Sequence, residues 1–440
     1  MLAAAFACLL ATPACLAGGS AVDVSTAAGL RQALASAASG TTVHLAPGEY
    51  ELAGPLVVPD HVVVEGSGQM ALDRDGRAAG LENERASTLR VRGAWSGNAI
   101  ELGHGAALRR LRVVDETGAE GDPVDRGEAR NLVVVASRGP GDRVEASLVE
   151  CELSTQQPFG IGGEVGPLGR AVGVWTRSLA GGRPPDAASS VGLVIERSVI
   201  QAPRSNALFA INFAPRGQVE VVVRDSRLAG VLSAAGGASL EDPVTRARTT
   251  FRSSHTDYVA GQFTRFGWQL VGGSGRPHPG ATTSPGTHDS ELRVTSEGDR
   301  ILGFNTGILA AAGRRVGNLS GPSSGNRLDL DLRGLTIRTE GERAADLRWY
   351  GALSVPPLEG GERLPPGENN VLVARITGSL GSGPRANDFA DLEGPVDPDR
   401  EPAAGNRLVV EGAPEVFLRD NHALSPGPGD KFFTAAPVPR

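Results

Sequence analysis

The chain has 440 residues, including 60 Gly and 30 Pro, with only 4% aromatic residues and a net charge of −7. A globular core of this size normally relies on more Phe, Tyr and Trp, whereas a core stacked from short strands needs only a few aliphatic side chains in each layer. The negative charge argues against a nucleic-acid partner, which requires a basic surface. The composition therefore favours one elongated repeat protein.

The N-terminus is an apolar run that ends in small residues, which is typical of a signal peptide and too short to span a membrane. Residues 1–19 are therefore predicted to be a signal peptide, and the mature chain is predicted to be secreted or periplasmic. A buried N-terminal helix is one alternative, and lipid attachment at Cys15 is another, although the preceding residues fit that signal poorly. Cys151 would be the single cysteine of the mature chain, so no disulfide framework is expected.

A short helix is predicted next, followed by strands. Segment 25–38 carries Leu and Ala at helical spacing and begins with Ser25 or Thr26, both good N-cap residues. Beyond it, short aliphatic runs alternate with Gly and Pro turns, and no long helix separates them, which excludes a βαβ sheet. Strand-like runs fall at 88–92, 99–102, 108–114, 131–136, 146–153, 191–200, 219–228, 291–295, 327–332, 370–376 and 407–410.

Several of these runs are variants of one unit, in which an alternating strand is followed by a short polar corner and a second strand. In the C-terminal third, Asn-containing tetrapeptides open strands at Gly325, Glu368 and Gly405. Asn tolerates the left-handed backbone conformation that such a corner requires. The spacing of roughly 20 to 45 residues is a solenoid period with loops inserted at corners.

The opening block carries a resemblance to a known family. Leu30-Arg-Gln-Ala-Leu, Thr42-Val-His-Leu-Ala-Pro-Gly-Glu-Tyr and Leu56-Val-Val-Pro-Asp-His-Val-Val-Val-Glu-Gly-Ser-Gly resemble the N-terminal cap and first rungs of the pectate-lyase-like β-helix superfamily. The resemblance implies an all-β, right-handed parallel β-helix of three sheets with a short N-terminal capping helix and a groove along one sheet. We expect residues 20–440 to form a single such domain, with a loose tail from about 423. An antiparallel sandwich or propeller is the alternative, although the Asn-Gly hairpin turns that such folds favour are absent.

Because the superfamily includes lyases, hydrolases, esterases and non-enzymatic adhesins, motifs have to decide the activity. The Asn-Thr-Asp and Asp-Asp motifs of polygalacturonase-type hydrolysis are absent. Gly103-His-Gly matches a short family signature, but it lies at a predicted turn. Arg138-Gly-Pro-Gly-Asp-Arg fits the Arg-x-Pro-x-x-Arg pattern of one pectate lyase family, in which the first arginine abstracts the proton. Its accompanying strand motif is missing, and an ordinary turn is the alternative.

A group of ionisable and aromatic residues in the second half of the chain is a candidate site. His255 is suited to proton exchange near neutral pH, Asp257 to orienting it and Tyr258 to protonating a leaving oxygen. Trp268 offers a face for a sugar ring. The alternative is that these are loop residues and aromatic side chains that fill the solenoid. The predicted catalytic residues are His255, Asp257, Tyr258 and His288, and the predicted substrate-binding residues are Trp268, Arg348, Trp349 and Tyr350.

One acidic segment partly matches a calcium-binding loop. Asp73, Asp75 and Glu82 occupy its third, fifth and twelfth positions, but Ala71 stands where the first carboxylate belongs. Calcium at these three residues is therefore the one cofactor that the sequence suggests, and a solvated acidic insertion is the alternative.

Together these features predict an exported β-helix protein that binds an extended polysaccharide or cell-surface glycan along the repeating face of the solenoid. Cleavage of that polysaccharide by elimination or hydrolysis is one hypothesis. The other is a non-catalytic surface, adhesion or scaffold protein. We expect a monomer with no nucleic-acid partner and no transmembrane segment.

Overall fold

The structure, a computed structural model, describes residues 19–82, 85–93, 95, 97–115, 130–157, 169–177, 188–239, 243–262, 266–275, 284–316, 321–341, 345–355, 367–377, 387–389, 406–411 and 431–435. In chain order the elements are β1 (Ala21–Val24), α1 (Ala27–Ser36), β2 (Thr42–Leu45), β3 (Gly48–Leu52), β4 (Leu56–Val58), β5 (Val63–Glu65), β6 (Met70–Leu72), β7 (Ala78–Leu81), β8 (Ser87–Val91), β9 (Gly97–Leu102), β10 (Ala106–Arg109), β11 (Leu111–Asp115), β12 (Arg130–Ala136), β13 (Arg143–Val149), β14 (Glu152–Thr155), β15 (Arg170–Thr176), β16 (Ser190–Glu196), β17 (Val199–Asn212), β18 (Gln218–Arg224), β19 (Arg227–Ser239), β20 (Val244–Thr245), β21 (Arg248–Ser254), β22 (Asp257–Val259), β23 (Phe266–Gly275), β24 (Thr287–His288), β25 (Glu291–Glu297), β26 (Arg300–Phe304), β27 (Thr306–Val316), β28 (Arg327–Arg333), β29 (Thr336–Thr339), β30 (Ala345–Val355), β31 (Val371–Thr377), β32 (Asn387–Phe389), β33 (Arg407–Glu411) and β34 (Lys431–Ala435).

Most strands pair in parallel with a strand from the next turn of the coil, and three ladders result. Sheet A contains β1, β2, β5, β10, β13, β16, β18, β21, β25, β28, β31, β33 and β34. Sheets B and C are joined because β17 and β19 run unbroken through the bend between them. Sheet B contains β3, β8, β11, β14, β22, β26, β29 and the first parts of β17 and β19. Sheet C contains β4, β9, β12, β15, β23, β27, β30, β32 and the second parts of β17 and β19.

Each rung runs from sheet A through sheet B to sheet C and then returns to sheet A. Parallel strands connected in this way form a right-handed coil, so the prediction of an all-β parallel β-helix is confirmed. One long cluster of buried Val, Leu, Ile and Ala side chains fills the interior. Three of its large aromatic residues meet edge to face: the Trp268 ring lies 5.9 Å from that of Phe251 and 5.0 Å from that of Tyr258, between ring centroids.

The predicted capping helix is confirmed as α1, which covers the first rung. Thr26 is its N-cap, and its hydroxyl accepts a 3.0 Å hydrogen bond from the Gly29 N–H. The helix buries Leu30 and Leu34 against the core, and this end of the core is thereby shielded from solvent. In the part of the chain that the structure describes, no helix is long and apolar enough to cross a membrane.

The two predicted terminal segments have different outcomes. Residues 1–18 of the predicted signal peptide lie outside the described residues. Within the predicted loose tail, Lys431–Ala435 forms β34 and pairs in parallel with β33. The sequence Phe432-Phe433-Thr434 has high strand propensity, which accounts for the extra strand.

From the β10–β11 corner to the β28–β29 corner, each corner between sheets A and B contains one residue in the left-handed conformation. These residues include Arg110, Glu150, Arg197, Asp225 and His255, with φ between 42° and 55°. Each donates its backbone N–H to a carbonyl of the next rung, as His255 does to Glu297 at 2.9 Å. His255 is therefore a member of a regular corner ladder rather than a residue of an irregular loop.

A buried asparagine ladder marks the return to sheet A in the last rungs. Asn326 N donates to Asn370 Oδ1 at 3.0 Å, and Asn370 N donates to Asn406 Oδ1 at 3.0 Å. The left-handed corner residues are those one position earlier, Gly325 at φ 68° and Asn369 at φ 55°. Asn369 therefore has the predicted corner role. Asn326, Asn370 and Asn406 instead form the buried ladder, in which their side chains bond to backbone groups.

We predict that Asn370→Ala lowers the free energy of unfolding by about 2–4 kcal/mol, because buried N–H and C=O groups lose their partners. These groups are the Asn326 N–H and the Ser323 carbonyl, which accepts from Asn370 Nδ2 at 2.9 Å. Thermal unfolding followed by circular dichroism measures the change. The matched control is Asn369→Gly, an exposed neighbour whose left-handed backbone suits Gly, and equal losses in both variants would contradict the role of the ladder.

Candidate functional site

An antiparallel hairpin, β6–β7, lies across the outer face of sheet B. The Leu81 N–H donates to Glu152 Oε2 at 2.9 Å, and the Ala78 N–H donates to the Asp225 carbonyl at 2.9 Å. Met70, Ala78 and Leu81 bury a small apolar cluster with Val199. The hairpin is inserted early in the chain but contacts strands several rungs later.

The hairpin tip brings together residues that the sequence assigned to two separate sites. Asp257 accepts hydrogen bonds from Arg300 Nε and Nη2, both at 2.6 Å, and lies 3.2 Å from Arg77 Nε. Arg300 Nη1 also donates to Asp75 Oδ2 at 3.0 Å. Asp73 Oδ1 accepts the backbone N–H groups of Asp75 and Arg77, each at 2.9 Å. The predicted catalytic Asp257 and the predicted metal ligands Asp73 and Asp75 therefore share one ion-pair network.

The network does not fit a calcium ion, because its carboxylates already face guanidinium groups. Burial raises the pKa of Asp73, but hydrogen bonds from the Arg77 and Asp75 N–H groups and the charges of Arg77 and Arg300 lower it overall. Hydrogen bonds and charges from Asp257 and Asp75 raise the pKa of Arg300. Glu82 is exposed, and among the residues that the structure describes no group of three or more His, Cys, Asp or Glu could hold a metal. The contacts anchor the hairpin.

The other predicted catalytic residues are not brought together. The His255 side chain is 60% exposed at its corner, 3.9 Å from Asp225 Oδ1. Tyr258 is buried inside the coil, where its hydroxyl shares a 2.7 Å hydrogen bond with Ser253, and burial raises its pKa well above the usual value. His288 lies in the small β20–β24 ladder. In this arrangement His255, Asp257 and Tyr258 do not form a proton relay.

The predicted sugar-binding aromatics also occupy other environments. Trp268 is fully buried, so neither face of its indole can meet a sugar. Tyr350 is buried in a cluster with Leu309, and Arg348 is partly exposed on β30. The side chain of Trp349 lies outside the described residues. The local sequence pattern is the same for an aromatic side chain that faces the interior and for one that faces the solvent, so it does not predict which of them can meet a sugar.

A different candidate site is an open groove on the outer face of sheet C, at its N-terminal end. The cavity has a volume of about 780 Å³ and lies over β4, β9 and β12, with α1 as one wall. The parallel register aligns Val57, Glu101 and Val134 across the three strands. Val57 is 58% exposed. The charged residues that line the groove are Arg31, Asp60, Glu101, Arg138 and Arg177.

Asp60 and Arg138 form an ion pair at the edge of this groove. Burial raises the pKa of Asp60, but hydrogen bonds from Arg138 and from the His104 N–H outweigh it and lower the pKa overall. The hydrogen bond with Asp60 raises the pKa of Arg138. Arg138, the first arginine of the short lyase-like pattern, is therefore held as a guanidinium cation and is poorly suited to accept a proton.

Two further arginines of the groove have no carboxylate partner among the described residues. Arg31 donates through Nη1 to the Pro55 carbonyl at 2.8 Å and through Nη2 to the Gly54 carbonyl at 2.7 Å. Arg177 is exposed, and only its backbone N–H has a described partner, the Ser137 hydroxyl at 2.9 Å. The groove therefore carries positive charge that the neighbouring acids do not neutralise.

A row of amides fixes Glu101 in the groove. Asn98 Nδ2 donates to Glu101 Oε1 at 2.7 Å, and Asn131 Nδ2 donates to Asn98 Oδ1 at 2.9 Å. Arg170 Nη1 lies 3.4 Å from Asn131 Oδ1, and its guanidinium lies 3.7 Å from the centre of the Phe209 ring. The amide row orients one carboxylate oxygen of Glu101.

Sequence reasoning singled out Arg138 but not the groove as a whole. Four charged residues of the groove come from successive rungs along sheet C, about one per rung: Asp60, Glu101, Arg138 and Arg177. Charged residues repeated at the solenoid period are the signal that could have found them.

Comparison with known proteins bears on the fold. No family model matches the chain, and no curated protein matches it. Similar solved structures include the Dettilon tailspike protein (TM-score 0.39, 10% identity, 93% of this chain and 64% of the tailspike). The A-module of the Azotobacter vinelandii mannuronan C-5 epimerase AlgE6 is also similar, with a TM-score of 0.36, 13% identity, and coverage of 84% of this chain and 96% of the module. Pectate lyase Pel9A has a TM-score of 0.31, 9% identity, and coverage of 86% of this chain and 79% of the lyase.

All three are parallel β-helix proteins, and the chain spans about 64% of the length of the tailspike. At these identities the likeness concerns the fold alone. The assignment of a parallel β-helix rests on the strand pairing described above.

One buried acid near the predicted catalytic group makes stability depend on pH. Asp299 accepts hydrogen bonds from Ser296 Oγ at 2.6 Å and from the Thr256 N–H at 2.8 Å. Burial raises its pKa to about 6. Because the folded-state pKa exceeds the unfolded one, its contribution to stability is full below pH about 4 and is lost as the pH rises through about 6.

We predict that Asp299→Asn removes this loss, which is on the order of 3 kcal/mol. An amide can accept from Thr256 and donate to Ser296, as the protonated acid does. Unfolding midpoints measured from pH 4 to 7 should fall for the wild type relative to the variant. The control is Asp23→Asn, which changes an exposed acid. If the difference in unfolding midpoint between the wild type and Asp299→Asn stays constant across this pH range, the prediction is contradicted.

Proposed function

We propose that the protein binds an extended acidic polysaccharide in the groove over β4, β9 and β12. The observation that carries this proposal is the open cavity of about 780 Å³ with Arg31 and Arg177 on its walls, both without a carboxylate partner among the described residues. Cavities of this size accommodate small ligands or a few sugar units. Guanidinium groups pair with carboxylates through two parallel hydrogen bonds, which suits a uronate chain.

The remainder of the lining is consistent with a sugar ligand. Val57 and the partly exposed Ala136 provide an apolar surface for the C–H faces of a ring, whereas Val134 is buried. Glu101, oriented by Asn98, provides an acceptor for sugar hydroxyls. Adjacent strands repeat every ~4.8 Å, so a ligand with its own repeat meets equivalent backbone positions along the coil. Export through the predicted signal peptide would bring the protein to polysaccharides outside the cytoplasm.

Binding is proposed for this groove in preference to cleavage. Arg138 is held as a cation by Asp60, which favours recognition of a carboxylate over proton abstraction. His255, Asp257, Tyr258 and His288 do not line the described cavity. A binding or adhesion role therefore needs fewer assumptions than lyase or hydrolase activity. Analysis of the products formed from an acidic hexamer distinguishes binding, lyase activity and hydrolase activity.

We predict that Arg177→Ala weakens binding of hexagalacturonate or hexamannuronate about 5- to 10-fold, since one charge-assisted hydrogen bond is lost. Isothermal titration calorimetry at low and moderate salt measures the change, with cellohexaose as the neutral ligand. The matched control is Arg74→Ala, which removes the same charge from a side chain that is 94% exposed at the hairpin tip. This control should bind as the wild type does.

No binding of either acidic hexamer, or equal binding of cellohexaose, would contradict the proposed function. The same samples test cleavage: unsaturated product marks a lyase, new reducing ends without it mark a hydrolase, and neither marks a binding protein. Product that disappears in His255→Ala would place an active site at the corner between sheets A and B, outside this groove.

A further inference from the structure

One tryptophan that the sequence analysis did not select lies directly beyond the groove. Trp175 is on β15, the strand that follows β12 in sheet C. The register pairs Trp175 with Ala136 and pairs Gly173 with Val134, both of which line the groove. Trp175 and Arg177 are two residues apart and therefore project from the same side of the chain.

The position of the indole depends on Gly173. A Cβ atom at residue 173 would overlap the six-membered ring of Trp175, so the ring occupies the space that the glycine leaves open on the outer face of sheet C. Phe209 supports it edge to face, with centroids 6.5 Å apart and an interplanar angle of 75°. The indole is thus held in place by packing and remains partly exposed.

The other tryptophans whose side chains are described have different surroundings. Trp268 is fully buried in the interior. Trp95 donates its Nε1–H to the Arg92 carbonyl at 3.1 Å and packs against the core cluster. None of the three tryptophans, Trp175 included, is among the residues that line the cavity. Trp175 differs from the other two because it lies on the strand next to β12, beside groove residue Ala136.

From this geometry we infer that Trp175 forms an aromatic subsite that stacks on a sugar ring of the polysaccharide held in the groove. The inference rests on the proposed function and adds a length requirement to it. One further strand spacing, ~4.8 Å, separates β15 from the last strand under the cavity. A ligand short enough to stay within the cavity does not reach the indole, whereas a longer one does. Sugar C–H groups pack on an aromatic face through dispersion and the hydrophobic effect.

The test compares digalacturonate and hexagalacturonate in wild type, Trp175→Ala and Trp175→Phe. We expect Trp175→Ala to weaken hexamer binding about 5- to 10-fold and to leave dimer binding unchanged. Trp175→Phe should retain most of the hexamer affinity because it keeps an aromatic face. Gly173→Ala should reproduce the hexamer defect without changing residue 175, since the added methyl displaces the indole.

Fluorescence provides a second measurement. The hexamer should change the tryptophan emission of the wild type and of the matched control Trp95→Phe, but not that of Trp175→Phe. Hexamer affinity in Trp175→Ala equal to that of the wild type would overturn the subsite and leave the groove intact. Equal weakening of dimer and hexamer would also overturn it, because Trp175 would then support only the packing of the groove. Wild type that binds neither ligand would overturn the proposed function as well.

Discussion

Register between successive rungs is the constraint on which the rest of this structure depends. Each strand pairs with the corresponding strand of the next turn. A corner can therefore take extra residues only if the strands that follow it stay aligned with their partners. From β10 onward, each described corner between sheets A and B contains one left-handed residue, and the N–H groups of these residues continue the backbone ladder. The β6–β7 hairpin is a long insertion at the same corner of an earlier rung, between β5 and β8, and the strands on both sides of it keep their pairing.

The fold could be predicted from the sequence because its main signals are local. Alternating aliphatic runs, Gly and Pro turns and the helical spacing near Leu30 each depend on a few neighbouring residues. The site could not be predicted in the same way, because its residues are separated in the sequence by the length of one rung or more. Asp257 meets Arg77 across 180 positions of sequence, and Trp268 has the same local pattern whether its indole faces the interior or the solvent. Whether a side chain faces the interior or the solvent depends on the register of the whole coil. A single segment of sequence does not contain that information.

Charge distribution separates two uses of arginine in this chain. At the hairpin tip, the guanidinium groups of Arg77 and Arg300 pair with Asp75 and Asp257, and these ion pairs link distant segments of the chain. In the groove, Arg31 and Arg177 have no such acid among the described residues. A protein with a net charge of −7 can thus still present a local cationic surface, and long-range repulsion of an acidic ligand is offset at that surface.

The β6–β7 hairpin has a consequence for how the coil comes apart. In a solenoid each repeat touches only its neighbours, so unfolding can begin at an end and proceed one repeat at a time. The hairpin leaves the coil before β8 and is bonded to residues as far along as Arg300 on β26. None of the intervening rungs can separate fully while that bond network persists, and the N-terminal half therefore behaves as one cooperative block instead of a chain of independent layers.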